Sequence, residues 1–88
     1  MVSSQCTVLL VDDDDGVRGA YVRVLTKAGF EVRAASDGAG ALELLRSGSF
    51  DAVVSDISMP GMDGVQLLRE VRQHDRDLPV LLMTGKPS

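Results

Sequence analysis

Asp51-Ala52-Val53-Val54-Ser55-Asp56-Ile57-Ser58-Met59-Pro60-Gly61-Met62-Asp63-Gly64 is the stretch on which the reading of this chain turns. A short apolar run, Ala52–Ser55, ends in the acid Asp56 and passes into a turn rich in Pro and Gly. Two other runs have the same form. Thr7-Val8-Leu9-Leu10-Val11 ends in Asp12 and Asp13, and Val80-Leu81-Leu82-Met83 ends in Thr84 and Gly85. Short, continuous apolar runs rich in β-branched residues fit strands buried on both faces, as in a parallel sheet covered by helices. Open parallel sheets bind ligands beyond the C-terminal ends of their strands, and neighbouring strands lie about 4.8 Å apart. If the strands ending in Asp13 and Asp56 are neighbours, three carboxylates meet in one small cleft. Such a cleft suits a divalent cation and makes Asp56 a candidate phosphoryl acceptor.

Helical patterns separate these runs. Asp14 or Asp15 caps the first helix, and acids suit its positive end. Val17, Ala20, Tyr21, Val24, Leu25 and Ala28 fall at the spacing of one helical face, and Gly29 ends it. Phe30–Ala35 reads as a second strand, wetter because Glu31 and Arg33 alternate with Val32, and so at an edge. Ser36-Asp37-Gly38 turns into a second helix over Ala39–Arg46, with Ala41, Leu42 and Leu45 facing inward. Asp51–Ser55 is the third strand. Asp63 caps a third helix, Gly64–His74, with Val65, Leu68 and Val71 inward, helped by Leu67. Pro79 leads into the fourth strand, Val80–Thr84. The order β-α-β-α-β-α-β implies right-handed crossovers and an α/β fold, a doubly wound parallel sheet with helices on both faces.

The bulk properties narrow the function. At 88 residues the chain is one domain, 1–88, without repeat or linker. A net charge of −4 argues against nucleic-acid binding by this segment, since phosphate contacts need clustered Lys and Arg. The single cysteine, Cys6, reads as a small, partly buried hydrophobe and fits a reducing compartment. No apolar stretch reaches membrane-spanning length, and residues 1–5 lack the features of a signal peptide, so the expected location is the cytoplasm. His74 reads as a surface residue, because no ligand partner stands at helical spacing from it. Met59 and Met62 read as loop packing.

The residues that carry the chemistry resemble those of the response regulator receiver domain, the CheY-like phosphoacceptor of two-component signalling. The matching stretches are Val8–Asp13, Asp51–Gly64 and Leu78–Gly85. The resemblance implies a flavodoxin-like sheet in the order 2-1-3-4. It implies Mg²⁺ (or Mn²⁺) held by Asp12, Asp13, Asp56 and the backbone carbonyl of Ser58. Asp56 would accept a phosphoryl group from a histidine kinase, a phosphotransfer protein or a small phosphodonor. Thr84 would bond a phosphoryl oxygen and act as the switch. The protein would be a phosphoacceptor and not an enzyme, with at most weak autophosphatase behaviour.

A complete receiver continues past its fourth strand with a helix, a strand and a helix, and carries a lysine before that fifth strand. The sequence is therefore expected to be a receiver lacking its last helix-strand-helix, with Lys86 a poor substitute for the lysine. Two consequences are expected: an unpaired fourth strand and an uncovered sheet face beside the first helix. Both favour a homodimer or larger assembly through that edge or face, and a charge at Leu82 is expected to disrupt one that uses the face.

The chemistry explains the residue types. A carboxylate attacking a phosphate meets like-charge repulsion, which a divalent cation removes, and Mg²⁺ prefers a few carboxylate oxygens with water and phosphate. Three other functions compete with this one. Haloacid-dehalogenase-type phosphatases also use an aspartate after a strand, but they place a Thr just after an Asp-x-Asp, and Asp12-Asp13-Asp14-Asp15-Gly16 has none. An interaction scaffold that is not phosphorylated fits the missing elements. Flavin binding is disfavoured, because no Gly-, Ser- or Thr-rich phosphate loop follows the first strand.

Overall fold

The structure, a computed structural model, describes residues 6–83. Seven elements alternate: β1 (Thr7–Val11), α1 (Asp15–Lys27), β2 (Glu31–Ala35), α2 (Gly38–Ser47), β3 (Ala52–Asp56), α3 (Gly64–His74) and β4 (Val80–Met83). The four strands form one parallel sheet in the order β2-β1-β3-β4. The expected α/β, flavodoxin-like fold and strand order are therefore what the chain adopts.

Local chemistry fixes each helix end. Asp14 caps α1 by accepting the Val17 N–H, Asp37 caps α2 through the Gly40 N–H, and Asp63 forms a reciprocal capping box with Gln66 on α3. At the C-terminus of α1, Gly29 has φ 101°, and the N–H groups of Gly29 and Phe30 return to the carbonyls of Thr26 and Leu25. This is a Schellman stop, which needs the left-handed conformation that glycine adopts freely.

The core lies on one side of the sheet. Leu9, Val11 and Val53 pack there against Ala41 and Leu45 of α2 and Leu67 and Val71 of α3. Register puts Leu10, Val54 and Leu81 together on the opposite side, the side of α1. There, among the described residues, α1 packs chiefly on β1 and β2, so Leu10 is fully buried while Leu81 is 57% exposed.

Several expectations shift by a residue or a face. Most of the stripe expected on α1 does not point inward: Val17 and Tyr21 are exposed and Val24 is 62% exposed, and of its large residues Leu25 is half-buried. The half-buried row is Arg18, Val22 and Leu25, which has the same helical spacing one step round. The helix carries two adjacent apolar rows, and only one has a sheet beneath it. On α3, Leu67 and Val71 are buried while Val65 is exposed, because the close seat of Gly64 sets the rotation of the helix. Cys6 is exposed, standing ahead of the first strand. Leu82 pairs with Ser55 and so belongs to the α2–α3 side. The residue on the α1 side is Leu81.

Candidate functional site

β1 and β3 are neighbours, and their C-terminal ends bring the acids together. Asp12, Asp13 and Asp56 each place a carboxylate oxygen within 4.8 Å of the others. Asp12 and Asp56 are 3% and 5% exposed, an unusual degree of burial for carboxylates. Two are held by local backbone bonds. Asp12 Oδ1 accepts the Asp14 N–H at 2.9 Å, and Asp56 Oδ1 accepts the Ser58 N–H at 3.2 Å. Asp13 differs, since its Oδ1 is buried and has no hydrogen-bond partner. A buried, unpaired oxygen on a carboxylate grouped with two other acids fits a cation ligand, because leaving it bare is costly. The donor set is all oxygen, as Mg²⁺ and Mn²⁺ prefer.

Burial raises the Asp12 carboxyl above its ordinary value of 3.8; the Asp14 N–H opposes this, and the charges of Asp56, Asp13 and Asp14 add to it. A carboxyl raised by folding holds its proton more tightly in the folded chain. The stability it contributes is present below 3.8 and is lost as pH rises through the raised folded value. In chelator, the parent is therefore expected to lose stability relative to Asp12→Asn across that window. Paired thermal melts over a pH series check this, and parallel curves would contradict it.

The expected site residues fare differently. Asp12, Asp13 and Asp56 converge. Ser58 stands two residues after Asp56 and donates its N–H to the Asp56 carboxylate. Thr84 and Lys86 lie outside the described residues. β4 is described as far as Met83, which pairs with Asp56 and accepts the Ile57 N–H at 2.9 Å. His74 is exposed, as expected, while Met59 is buried and Met62 rests on Gly38.

Two residues of the site were missed by sequence reading. Gly64 seats the start of α3 against the acceptor strand. Its N–H bonds the Ile57 carbonyl at 2.8 Å, and a Cβ there would stand 2.5 Å from the Asp56 carbonyl oxygen and 2.8 Å from the Ile57 Cα. Both obstacles are backbone, so the chain must move. Gly64→Ala is expected to cost about 1–3 kcal/mol, the range for overpacking. At about 4–8 °C per kcal/mol, thermal melts will show the loss, and an unchanged melting temperature would contradict the close seat. Arg18 is the other. Its Nη1 donates to the Asp12 carbonyl at 2.9 Å, and its Nη2 pairs with Asp15.

A family model, the response regulator receiver domain, matches residues 8–88. The chain belongs to the response regulator receiver domain family. Among curated relatives, this receiver is 43% identical over 81 residues to response regulator MprA of Mycolicibacterium vanbaalenii, covering 92% of the chain and 35% of that protein. It is 44% identical over 86 residues to sensor kinase CckA of Brucella abortus, covering 96% of the chain and 9% of that protein. The receiver thus spans about a third of MprA and a small part of CckA.

Solved structures agree. Chemotaxis protein CheY4 of Vibrio cholerae superposes with a TM-score of 0.91 at 34% identity, over 97% of this chain and 72% of that one. Response regulator TrrA of Thermotoga maritima, solved in complex with Mg²⁺-BeF, gives 0.88 at 33% identity, over 93% and 71%. TrrA in complex with histidine kinase ThkA gives 0.87 at 32% identity, over 96% and 72%. This receiver is accordingly a module of two-component signalling. No helix among its described residues is long and apolar enough to cross a membrane.

Proposed function

We propose that this receiver accepts a phosphoryl group on Asp56 in a Mg²⁺-dependent reaction, with a histidine kinase or phosphotransfer protein as donor in the cytoplasm. The observation that carries the reading is the convergence of Asp12, Asp13 and Asp56, with a buried Asp13 oxygen that has no hydrogen-bond partner. Asp12, Asp13 and Asp56, with the Ser58 carbonyl, are the groups that would hold Mg²⁺. When bound, the cation neutralises charge between carboxylate and phosphate. A carboxylate oxygen of Asp56 attacks phosphorus and forms an acyl-phosphate P–O bond. The bond from phosphorus to the donor's leaving atom breaks, and the leaving group departs with its electron pair and is protonated. Asp56 is suited to this by position: β3 delivers it to the sheet edge, the Ser58 N–H orients one oxygen, and Gly64 closes the loop behind it. Thr84 would contact the phosphoryl group as the switch. The domain acts as a phosphoacceptor with at most weak autophosphatase behaviour, not as an enzyme. The TrrA–ThkA complex and the Mg²⁺-BeF complex of TrrA support the assignment of donor and cation.

Incubation with a small phosphodonor and Mg²⁺ tests the reading. The expected product is a hydroxylamine-labile acyl phosphate that forms only with the cation. Labelling that ignores chelation would count against it.

A second reading, self-association as an interaction scaffold, is supported by the exposure of Val24 and Leu81 on the α1 side of the sheet. Sedimentation equilibrium is expected to show a dimer that Leu81→Glu weakens. A folded monomer at high micromolar concentration would remove this reading.

A further inference from the structure

We propose that Arg18 is a positioning residue for the cation site, acting by fixing the peptide that aims Asp13. The inference deepens the reading above and rests on it.

The Asp13 carboxylate takes no part in the hydrogen bonds found among the described residues. Its Oδ1 is buried without a hydrogen-bond partner, whereas Asp12 and Asp56 are tied by the N–H groups of Asp14 and Ser58. The aim of Asp13 therefore depends on the backbone that carries it, above all on the peptide joining Asp12 to Asp13. That backbone is anchored on both sides of Asp12. Its N–H donates to the Ala35 carbonyl of β2 at 3.1 Å. Its carbonyl, which belongs to the Asp12–Asp13 peptide, accepts from Arg18 Nη1 at 2.9 Å. Arg18 thus fixes the plane of the peptide on which the least restrained carboxylate is mounted.

The placement of Arg18 is otherwise hard to account for. It stands on the first turn of α1, close to the positive end of the helix, where a cation is disfavoured. Its pair with Asp15 is an ordinary helical i,i+3 contact to a side chain that is 89% exposed. The bond to the Asp12 carbonyl is not of that kind. It reaches back six residues, out of the helix and into the loop, and is partly buried. The Arg18 side chain is 22% exposed, and its guanidinium spans both acceptors with separate nitrogens. A planar fork can do this, and a single ammonium cannot do it equally well. The arrangement matches a general property of metal sites, in which groups that orient the ligands matter nearly as much as the ligands. It also sets a cation beside the acids without taking up their oxygens.

The test is Mn²⁺ titration of the full 88-residue chain, with metal-free melting temperature measured in parallel. Arg18→Ala is expected to raise the Kd for Mn²⁺ by roughly tenfold or more, the usual effect of losing a group that orients a ligand. Arg18→Lys should fall between parent and Arg18→Ala, and it decides the matter if the alanine variant does not fold. Asp15→Asn, which leaves the Asp12 bond in place, should stay within about threefold of the parent. A purely structural role predicts a different pattern: a lower metal-free melting temperature with an unchanged Kd. An Arg18 variant that binds Mn²⁺ as the parent does overturns the inference and leaves the cation site standing. A parent chain that takes up no Mn²⁺ overturns both.

Discussion

Asp56→Asn is expected to bring phosphoryl labelling down to background, a loss of more than about a hundredfold, while the chain stays folded. Removing a nucleophile removes the step, so the effect is far larger than that of altering a contact. The substitution is close to isosteric, and the asparagine oxygen can still accept the Ser58 N–H that holds Asp56 now. The residue is 5% exposed and ends β3 beside Met83, so a bulkier or smaller replacement would confound folding with chemistry. The measurement is acyl-phosphate formation with a small phosphodonor and Mg²⁺, alongside a thermal melt. Undiminished labelling of a folded variant would transfer the acceptor role to another residue.

The second large effect concerns the cation. At a hundredfold excess over Kd, a ligand that binds only the folded state stabilises it by about 2.7 kcal/mol. For a domain of this size that is a rise in melting temperature of roughly 10–20 °C. Mg²⁺ or Mn²⁺ is expected to produce such a rise, and a chelator to reverse it. Asp13→Ala separates the ligand role from the structural one. Its Oδ1 is buried and makes no hydrogen bond, so deleting that oxygen removes no partner among the described residues of the metal-free fold. The metal-free melting temperature should therefore hold or rise, while most of the response to Mg²⁺ disappears. An equal response in the variant would remove Asp13 from the ligand set.

The sheet and its acid-bearing edge were legible because their signals are local and strong. Thr7–Val11, Ala52–Asp56 and Val80–Met83 are continuous apolar runs, and each ends at the edge where the site lies. Asp14, Asp37 and Asp63 mark helix starts that the side chains then cap. Which face a helix buries was less legible. Two apolar rows run along α1, and the sequence does not say which of them has β1 and β2 beneath it; the row of Val22 and Leu25 does. The same holds for α3, whose rotation follows from the seat of Gly64 on the Asp56 carbonyl, a contact between backbones with no side-chain signature.

The face of Leu81 depended on register with Val54, which pairing sets and composition does not. Arg18 did carry a signal, a cation at the positive end of a helix among four acids. Its partner, however, is a backbone carbonyl six residues away, which no side-chain pattern reveals.

Locating the phosphoryl group on the chain tests the central claim most directly. After phosphorylation with a small donor and Mg²⁺, borohydride reduction converts an aspartyl phosphate to homoserine, and trypsin releases residues 47–69 as one peptide. Fragment sequencing of that peptide distinguishes Asp56 from Asp51 and Asp63. The account predicts homoserine at position 56 and nowhere else, and none when Mg²⁺ is chelated. Homoserine at Asp12, Asp13 or any other position, or modification that persists without the cation, would contradict it.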